Sequence, residues 1–451
     1  MSGEASMKIG AVVWPDPDSA RVAVRKMQTK LHRWSGGDSS HRFDDLFNLI
    51  YDPAFLVHTW KRVSTNKGAK TPGVDKVTAA MIENRVGVGA FLQQIRDSLR
   101  SKEFRPAEVR QVMIPKANGK LRKLGIPTIT DRVVQASLKL VLEPIFEADF
   151  KPCSYGFRPN RRAHDAIAEI HHFTSGRSNY QWVFEADIKA CFDEISRVAL
   201  MDRLRVRVKD KHVCALVKAF LRSGILNELG EREDTHSGTP QGGMLSPLLA
   251  NIALSVLDDH FDRQWKEKMG TAYQRSKRRK NGHGTWRLVR YADDFVIMVS
   301  GQRHHAEALR EEVVAVLAPL GLRLAPEKTR VVHIDEGFDF LGYTIRRMRK
   351  SLNSVLAGWA NYFRHGVSKA TFAAIDSHTW SRVMRWIRRK YAGKHRLGMP
   401  EMRRRFCDKG WRFAHKGVAL TGASRVSVER YRYRGSSIPT PWDRTAATIN
   451  G

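Results

Sequence analysis

Three aspartates stand where chemistry could be done. Asp187 closes QWVFEAD (181–187), and Asp293 and Asp294 form a doublet inside VRYADDFVIMVSG (289–301). Each acid is delivered by a segment with strand-like apolar content. Successive strand residues face opposite sides, so an ideal strand cannot aim both doublet carboxylates at one point, whereas a tight hairpin turn at the doublet removes that restriction. Three crowded carboxylates repel one another and raise their own pKa values unless cations lie between them. Mg²⁺ meets this need, because it takes hard oxygen ligands and keeps positions open for phosphate. Two such ions, about 4 Å apart, lower the pKa of an attacking hydroxyl and stabilise a leaving pyrophosphate. An Asp-Asp pair alone is equally an ordinary acidic turn, so its meaning depends on cationic equipment nearby. EVRQVMIPKANGKLRKLGIP (108–127) offers it: an alternating hairpin about Asn118–Gly119 that carries Lys116 and Arg122.

The elements that must position these groups follow from periodicity. Residues 1–40 read as an arm with at most one helix, near SARVAVRKMQTKLHRW, and FDDLFNLIYDPAFLVHTWKRV has helical spacing. TDRVVQASLKLVLEPIFEADF is helical, and GTPQGGMLSPLLANIALSVLDDHF is a Gly-rich turn feeding a long helix. After the doublet come the amphipathic AEALREEVVAVLAPLGL and the alternating VVHIDEGFDFLGYTI. GWANYFRHGVSKATFAAIDSHTWSRVMRWIRRKYAGKHR reads as two amphipathic helices. Trp359, Tyr362, Phe363, Trp380 and Trp386 lie on or near their apolar side, and Arg382, Arg385, Arg388, Arg389 and Lys390 are available to phosphates. His164 and His236 read as polar neighbours of loops.

Charge names the class of partner. The 451 residues carry 78 Lys and Arg against 46 Asp and Glu, a net of +32, and residues 341–451 hold 24 of the former against 5 of the latter. Such a surface attracts polyanions, nucleic acid before anionic membrane. Four dispersed cysteines without a C-x2-C pair give neither a disulfide framework nor a zinc site and suit a reducing, cytosolic setting. The N-terminal residues lack a secretory pattern, and no apolar run approaches a membrane span, so a soluble chain is expected.

YADDFVIMVSG, GTPQGGMLSPLLANI, FEADIKACFDEI, SYGFRPNRRAHDA, NKGAKTPGVDKVT and IPKANGKLRKLGIPTITDRVVQ, in this order relation along residues 48–344, closely resemble the bacterial group II intron-encoded reverse transcriptases, or maturases. The likeness resumes at LNSVLAGWANYFRHG (352–366), which resembles the intron-binding maturase domain. The resemblance implies an α+β right-hand polymerase, with fingers and a palm built on a small antiparallel sheet, followed by a helical basic domain. The expected divisions are an arm (1–40), fingers (41–180), palm (181–345), thumb remnant with maturase domain (346–435) and tail (436–451). It implies that Asp187, Asp293 and Asp294 hold two Mg²⁺ ions, that Phe192 lies under the nucleotide sugar, and that Gln241 and Gly242 support the incoming nucleotide and templating base. Lys116 and Arg122 would grip the triphosphate, and Lys328 would stand near the departing pyrophosphate as general acid. The implied partners are group II intron RNA, an RNA template, a DNA primer or target and dNTPs, with no membrane. The implied location is the bacterial cytoplasm, in a ribonucleoprotein or on the nucleoid. By residue type alone, Phe192 is equally a core aromatic and Lys328 a solvated strand-end lysine.

Two departures from the family shape the expectation. No endonuclease-like Cys and His pairs follow the maturase-like segment, and only eight residues separate Tyr343 from Leu352 where relatives have a thumb several helices long. A working polymerase that aids splicing, a non-catalytic RNA-binding maturase on the same fold, and a domesticated reverse transcriptase used in host defence are the three readings.

Overall fold

The protein is described by a computed structural model over residues 12–115, 119, 121–175, 180–226, 232–233, 243–347, 360, 369–391, 398–408, 412–415, 418–420, 422–427, 435 and 438–443. The chain forms two compact units. The first comprises Met1–Ile334, Phe338–Thr344 and Ser436–Gly451, and the second comprises Asp335–Gly337 and Ile345–Gly435.

The first unit is built around two long helices, Ile129–Glu147 and Ser246–Gln264, each buried along most of its length. Thr128 caps the first by accepting from the Asp131 N–H, and Pro at the start of the second costs no hydrogen bond there. Asp131, in the first turn, is buried; its carboxylate accepts from Thr128 Oγ1 at 2.7 Å and from Ala107 N at 3.3 Å. Burial pushes this carboxyl up to about 6, against the pull of the Thr128 hydrogen bond. The folded protein therefore keeps a proton that the unfolded chain has released near pH 4, and stability falls as pH rises between those values, by about 3 kcal/mol in all. Asp131→Asn, which keeps an acceptor oxygen, should flatten that decline and unfold at higher denaturant at pH 7. Identical pH slopes for the two proteins would refute the assignment.

The helix expected near residues 19–34 spans Pro17–Gly37, capped by Asp16, and buries Ala20, Val24, Gln28, Leu31 and Ser35 at helical spacing. Gln28 Nε2 donates to the Leu140 carbonyl at 2.9 Å and Ser35 Oγ to that of Ile145 at 2.8 Å, seating this helix on Ile129–Glu147. The same helix receives the far end of the chain. Trp442, 5% exposed, donates its indole N–H to Gln28 Oε1 at 3.3 Å and stands 5.7 Å from the His32 ring, while Arg25 donates to the Pro441 carbonyl.

Among the described residues the unit also holds two four-stranded sheets. In one, Val109–Pro115 pairs antiparallel with Leu121–Ile126, from Arg110 opposite Ile126 to Pro115 opposite Leu121, so the hairpin read from alternation is present. Gly119 has the positive φ, +78°, that a tight turn asks of glycine, and Asn118, expected beside it in the turn, lies outside the described residues. In the other sheet, Trp182–Asp187 lies between Asp294–Ser300 and Arg330–His333, and Thr285–Tyr291 is the outer neighbour of Asp294–Ser300. Phe295 to Val299 are buried on both faces, which is why their sequence is a continuous apolar run instead of an alternation. Among the described residues no helix is long and apolar enough to cross a membrane.

The second unit centres on the helix Lys369–Lys390. Met384 and Ile387 pack with Met402 and Phe413, and Trp380 stacks on Phe413 at 5.9 Å. The Asp376 carboxylate ties Ala423 and Ser424 to this helix by accepting from both backbone N–H groups, at 2.7 and 3.0 Å. Trp386 departs from the expected apolar side and is 60% exposed, because Met384 and Ile387 set the buried stripe and residue 386 lies off it. Trp359, Tyr362 and Phe363, with the first of the two expected helices, lie outside the described residues.

Candidate active site

The doublet is the turn of a hairpin. Tyr291 pairs with Asp294, which leaves Ala292 and Asp293 as the two turn residues and makes Asp294 the first residue of its strand. The expected turn thus releases the two acids from strict alternation. Ala292 is left-handed, φ +58°, a conformation that costs a non-glycine residue about 1–2 kcal/mol. Its surroundings hold it there. Arg290, fully buried, donates from Nη1 to the Ala292 carbonyl at 2.8 Å and to Asn251 Oδ1 at 3.0 Å. Its Nη2 donates to Ser154 Oγ at 2.8 Å, and Nε donates to Asp258 Oδ1 at 2.7 Å, with both ion-pair partners at 0% exposure. Asn251 Nδ2 in turn donates to the Gly156 carbonyl at 2.8 Å. A side chain at Gly156 would stand 2.4 Å from Ala292 N, so only glycine lets this segment lie against the turn.

Asp187 ends the adjacent strand and is directly opposite Asp294. Asp187, Asp293 and Asp294 line one pocket of about 570 Å³ together with Phe192 and Lys328. Desolvation, then the charges of Asp293 and Asp187, push the Asp294 carboxyl up to about 6. Lys328, in the turn Pro326–Lys328, donates to the Asp187 carboxylate; that hydrogen bond, ahead of the charges of Asp187, Asp294 and Asp293, raises the ammonium above its ordinary value. Phe192 follows left-handed Ala190 on the short helix Cys191–Glu194, half-buried, with one side against the core and the other in the pocket.

Among the described residues no three His, Cys, Asp or Glu side chains are grouped so as to hold a metal by themselves. The donor set nevertheless suits a hard divalent cation. Two carboxylates oppose one another across adjacent strands and a third sits in the turn, so desolvation and then the charges of Asp293 and Asp187 raise the Asp294 carboxyl. Mg²⁺ typically takes one or two protein carboxylates and completes its shell with substrate phosphate and water.

Four other expected residues stand apart from this pocket's description. Lys116, Gln241 and Gly242 lie outside the described residues, as does His236. Arg122 is on Leu121–Ile126, opposite Ile114, but its side chain is outside the described set. His164 meets the Tyr343 hydroxyl through Nε2 at 3.1 Å. In the second unit, Arg382, Arg385, Arg388, Arg389 and Lys390 are all exposed on Lys369–Lys390, and Lys390 lies over the Trp386 ring at 5.1 Å. The support of the doublet by Arg290, Asp258, Asn251 and Ser154 was not anticipated from sequence. Its visible signal is a pair of charged residues inside each of two largely apolar runs, Arg287 and Arg290 in WRLVRY and Asp258 and Asp259 in LSVLDDHF.

Residues 114–345 match the family model for reverse transcriptase (RNA-dependent DNA polymerase), and residues 341–406 match that for the group II intron, maturase-specific domain. Protein YkfC of Escherichia coli strain K12 is 38% identical over 345 residues, which cover 73% of this chain and 90% of that protein. The group II intron-encoded protein LtrA of Lactococcus lactis subsp. cremoris is 33% identical over 362 residues; these are 69% of this chain but 59% of the longer relative. Among solved structures, telomerase from Candida albicans overlaps 59% of this chain and 51% of that one, with a TM-score of 0.38 and 13% identity.

Proposed function

The chain belongs to the group II intron-encoded reverse transcriptases and maturases, with the reverse transcriptase and maturase-specific domains both present, and on that premise we propose that it extends a DNA primer with dNTPs on an RNA template and assists splicing of the intron RNA that it binds. The observation that carries the polymerase reading is the strand pairing of Asp187 with Asp294 beside the Asp293 turn, in a pocket shared with Lys328 and Phe192.

In this reading the carboxylates of Asp187, Asp293 and Asp294 would hold two Mg²⁺ ions, which when bound would lower the pKa of the primer 3′-hydroxyl and neutralise the departing pyrophosphate. Lys328, an ammonium hydrogen-bonded to Asp187 in the same pocket, would be the proton source for that leaving group. Lys116 and Arg122 clamp the triphosphate, while Gln241 and Gly242 support the nucleotide and the templating base. Phe192 excludes a 2′-hydroxyl by bulk. Fingers over 41–180 and palm over 181–345 frame the pocket. Arg382, Arg385, Arg388, Arg389 and Lys390 meet phosphates of folded intron RNA, where shape and phosphate position are what a protein can read. A bacterial, cytoplasmic ribonucleoprotein is the setting that follows.

Primer extension on an RNA template tests this. The natural protein should incorporate dNTPs in preference to NTPs, and Phe192→Val should relax that preference by at least about tenfold. Unchanged selectivity would remove Phe192 from the sugar site. The eight residues between Tyr343 and Leu352 favour short products, because little chain is left there to clamp the duplex. The same brevity supports a second reading, an RNA-binding maturase without polymerisation, which takes over if the protein binds intron RNA but extends no primer.

A further inference from the structure

Phe157 has two features that fold stability does not reward. It is 52% exposed, and its backbone is left-handed at φ +56°, a region that bulky residues rarely enter. An observed outlier of this kind is a pointer to function when surrounding structure enforces it. Here both flanks are fixed. Tyr155 N donates to the Arg290 carbonyl at 2.8 Å, and Arg290 N to the Cys153 carbonyl at 2.9 Å, which joins the segment to the doublet hairpin. Gly156 lies against Ala292, and Arg158 on the other side is buried in an ion pair with Glu147 at 2.7 Å. The phenyl ring is left in the carboxylate pocket, its centroid 6.4 Å from that of Tyr291.

An uncharged aromatic face beside carboxylates offers nothing to a phosphate and much to a nucleobase, since stacking does not depend on base identity. Resting on the polymerase reading above, we propose that Phe157 is the surface on which the base of the growing strand's 3′-terminal nucleotide stacks. The choice of that nucleotide follows from attachment. Phe192 stands beyond Asp187 on the neighbouring strand's continuation, the side given to the incoming sugar, whereas Phe157 is fastened to the hairpin whose turn carries Asp293. The terminal 3′-oxygen must reach these carboxylates, and its base comes to rest within a few ångströms of that oxygen.

The test uses the full chain in steady-state primer extension, with Phe157→Asn and Phe157→Trp beside the natural protein. Asparagine tolerates the left-handed backbone, so the fold is retained or strengthened while the ring is lost. Phe157→Asn should raise KM for primer–template about tenfold, leave KM for dNTP within about twofold of its original value, and be matched by no such change in Phe157→Trp. A primer ending in an abasic site should extend poorly in the natural protein and suffer no additional loss in Phe157→Asn. An unchanged primer KM, or an effect on dNTP KM instead, overturns the assignment. Absence of extension by the natural protein overturns the polymerase reading itself, a result distinguishable from extension that is indifferent to Phe157.

Discussion

Asp293→Asn should lower RNA-templated primer extension by about a thousandfold or more, with intron RNA binding retained. The fold should tolerate the change, because asparagine is a favoured turn residue and residue 293 lies in the two-residue turn between Tyr291 and Asp294. The chemistry should not. If the site holds divalent cations as proposed, removing one anionic oxygen forfeits several kcal/mol of transition-state stabilisation, and each 1.36 kcal/mol is a factor of ten in rate. In the proposed reading RNA affinity would rest on other residues, the exposed cations of Lys369–Lys390, which are part of the second unit. Single-turnover extension and filter binding on the same preparation measure both quantities. Equal extension by the two proteins would leave the doublet as an acidic turn and nothing more.

The second large effect concerns Arg290, which touches no acid of the pocket among its hydrogen bonds. Arg290→Met strands the Asp258 carboxylate at zero exposure, and loss of one partner of a buried ion pair costs about 3–5 kcal/mol. Adding Asp258→Leu removes the stranded charge and should restore most of that stability, since buried ion pairs often exchange for apolar pairs at little net cost. Polymerisation should stay impaired in the double variant. The Ala292 carbonyl, Asn251 and Ser154 still lack their donor, and the left-handed turn has lost its tie. Denaturant midpoints and extension rates should therefore separate. A double variant that recovers both would reduce Arg290 to a stabiliser of the core.

How far sequence reaches is clear from these same residues. Alternation was enough for the paired strands of 108–127, the acid-tipped strand and the hairpin at the doublet, because those elements are decided within about twenty residues. The left-handed states of Ala292 and Phe157 carry no signature in periodicity, which speaks of faces and not of single φ angles. Arg290 found its partner on a helix 32 residues away, and a charge in a strand that is buried on both sides reads from sequence as an irregularity. Trp386 shows the remaining error. Aromatic type suggested the apolar side, but the helix phase set by Met384 and Ile387 turned it outward.

The seating of Trp442 on the helix Pro17–Gly37 also has a consequence for synthesis. The contact between Gln28 and Trp442 spans 414 residues, and the second unit is encoded between them. At a translation rate of 5–20 residues per second, Gln28 and His32 wait on the order of 20–80 s for their partner. Most of the first unit has left the ribosome long before its last piece arrives. Any chain interrupted within 345–435 lacks Trp442 and leaves Gln28 and His32 without that contact, so closure of this contact doubles as a record that the second unit was translated to its end.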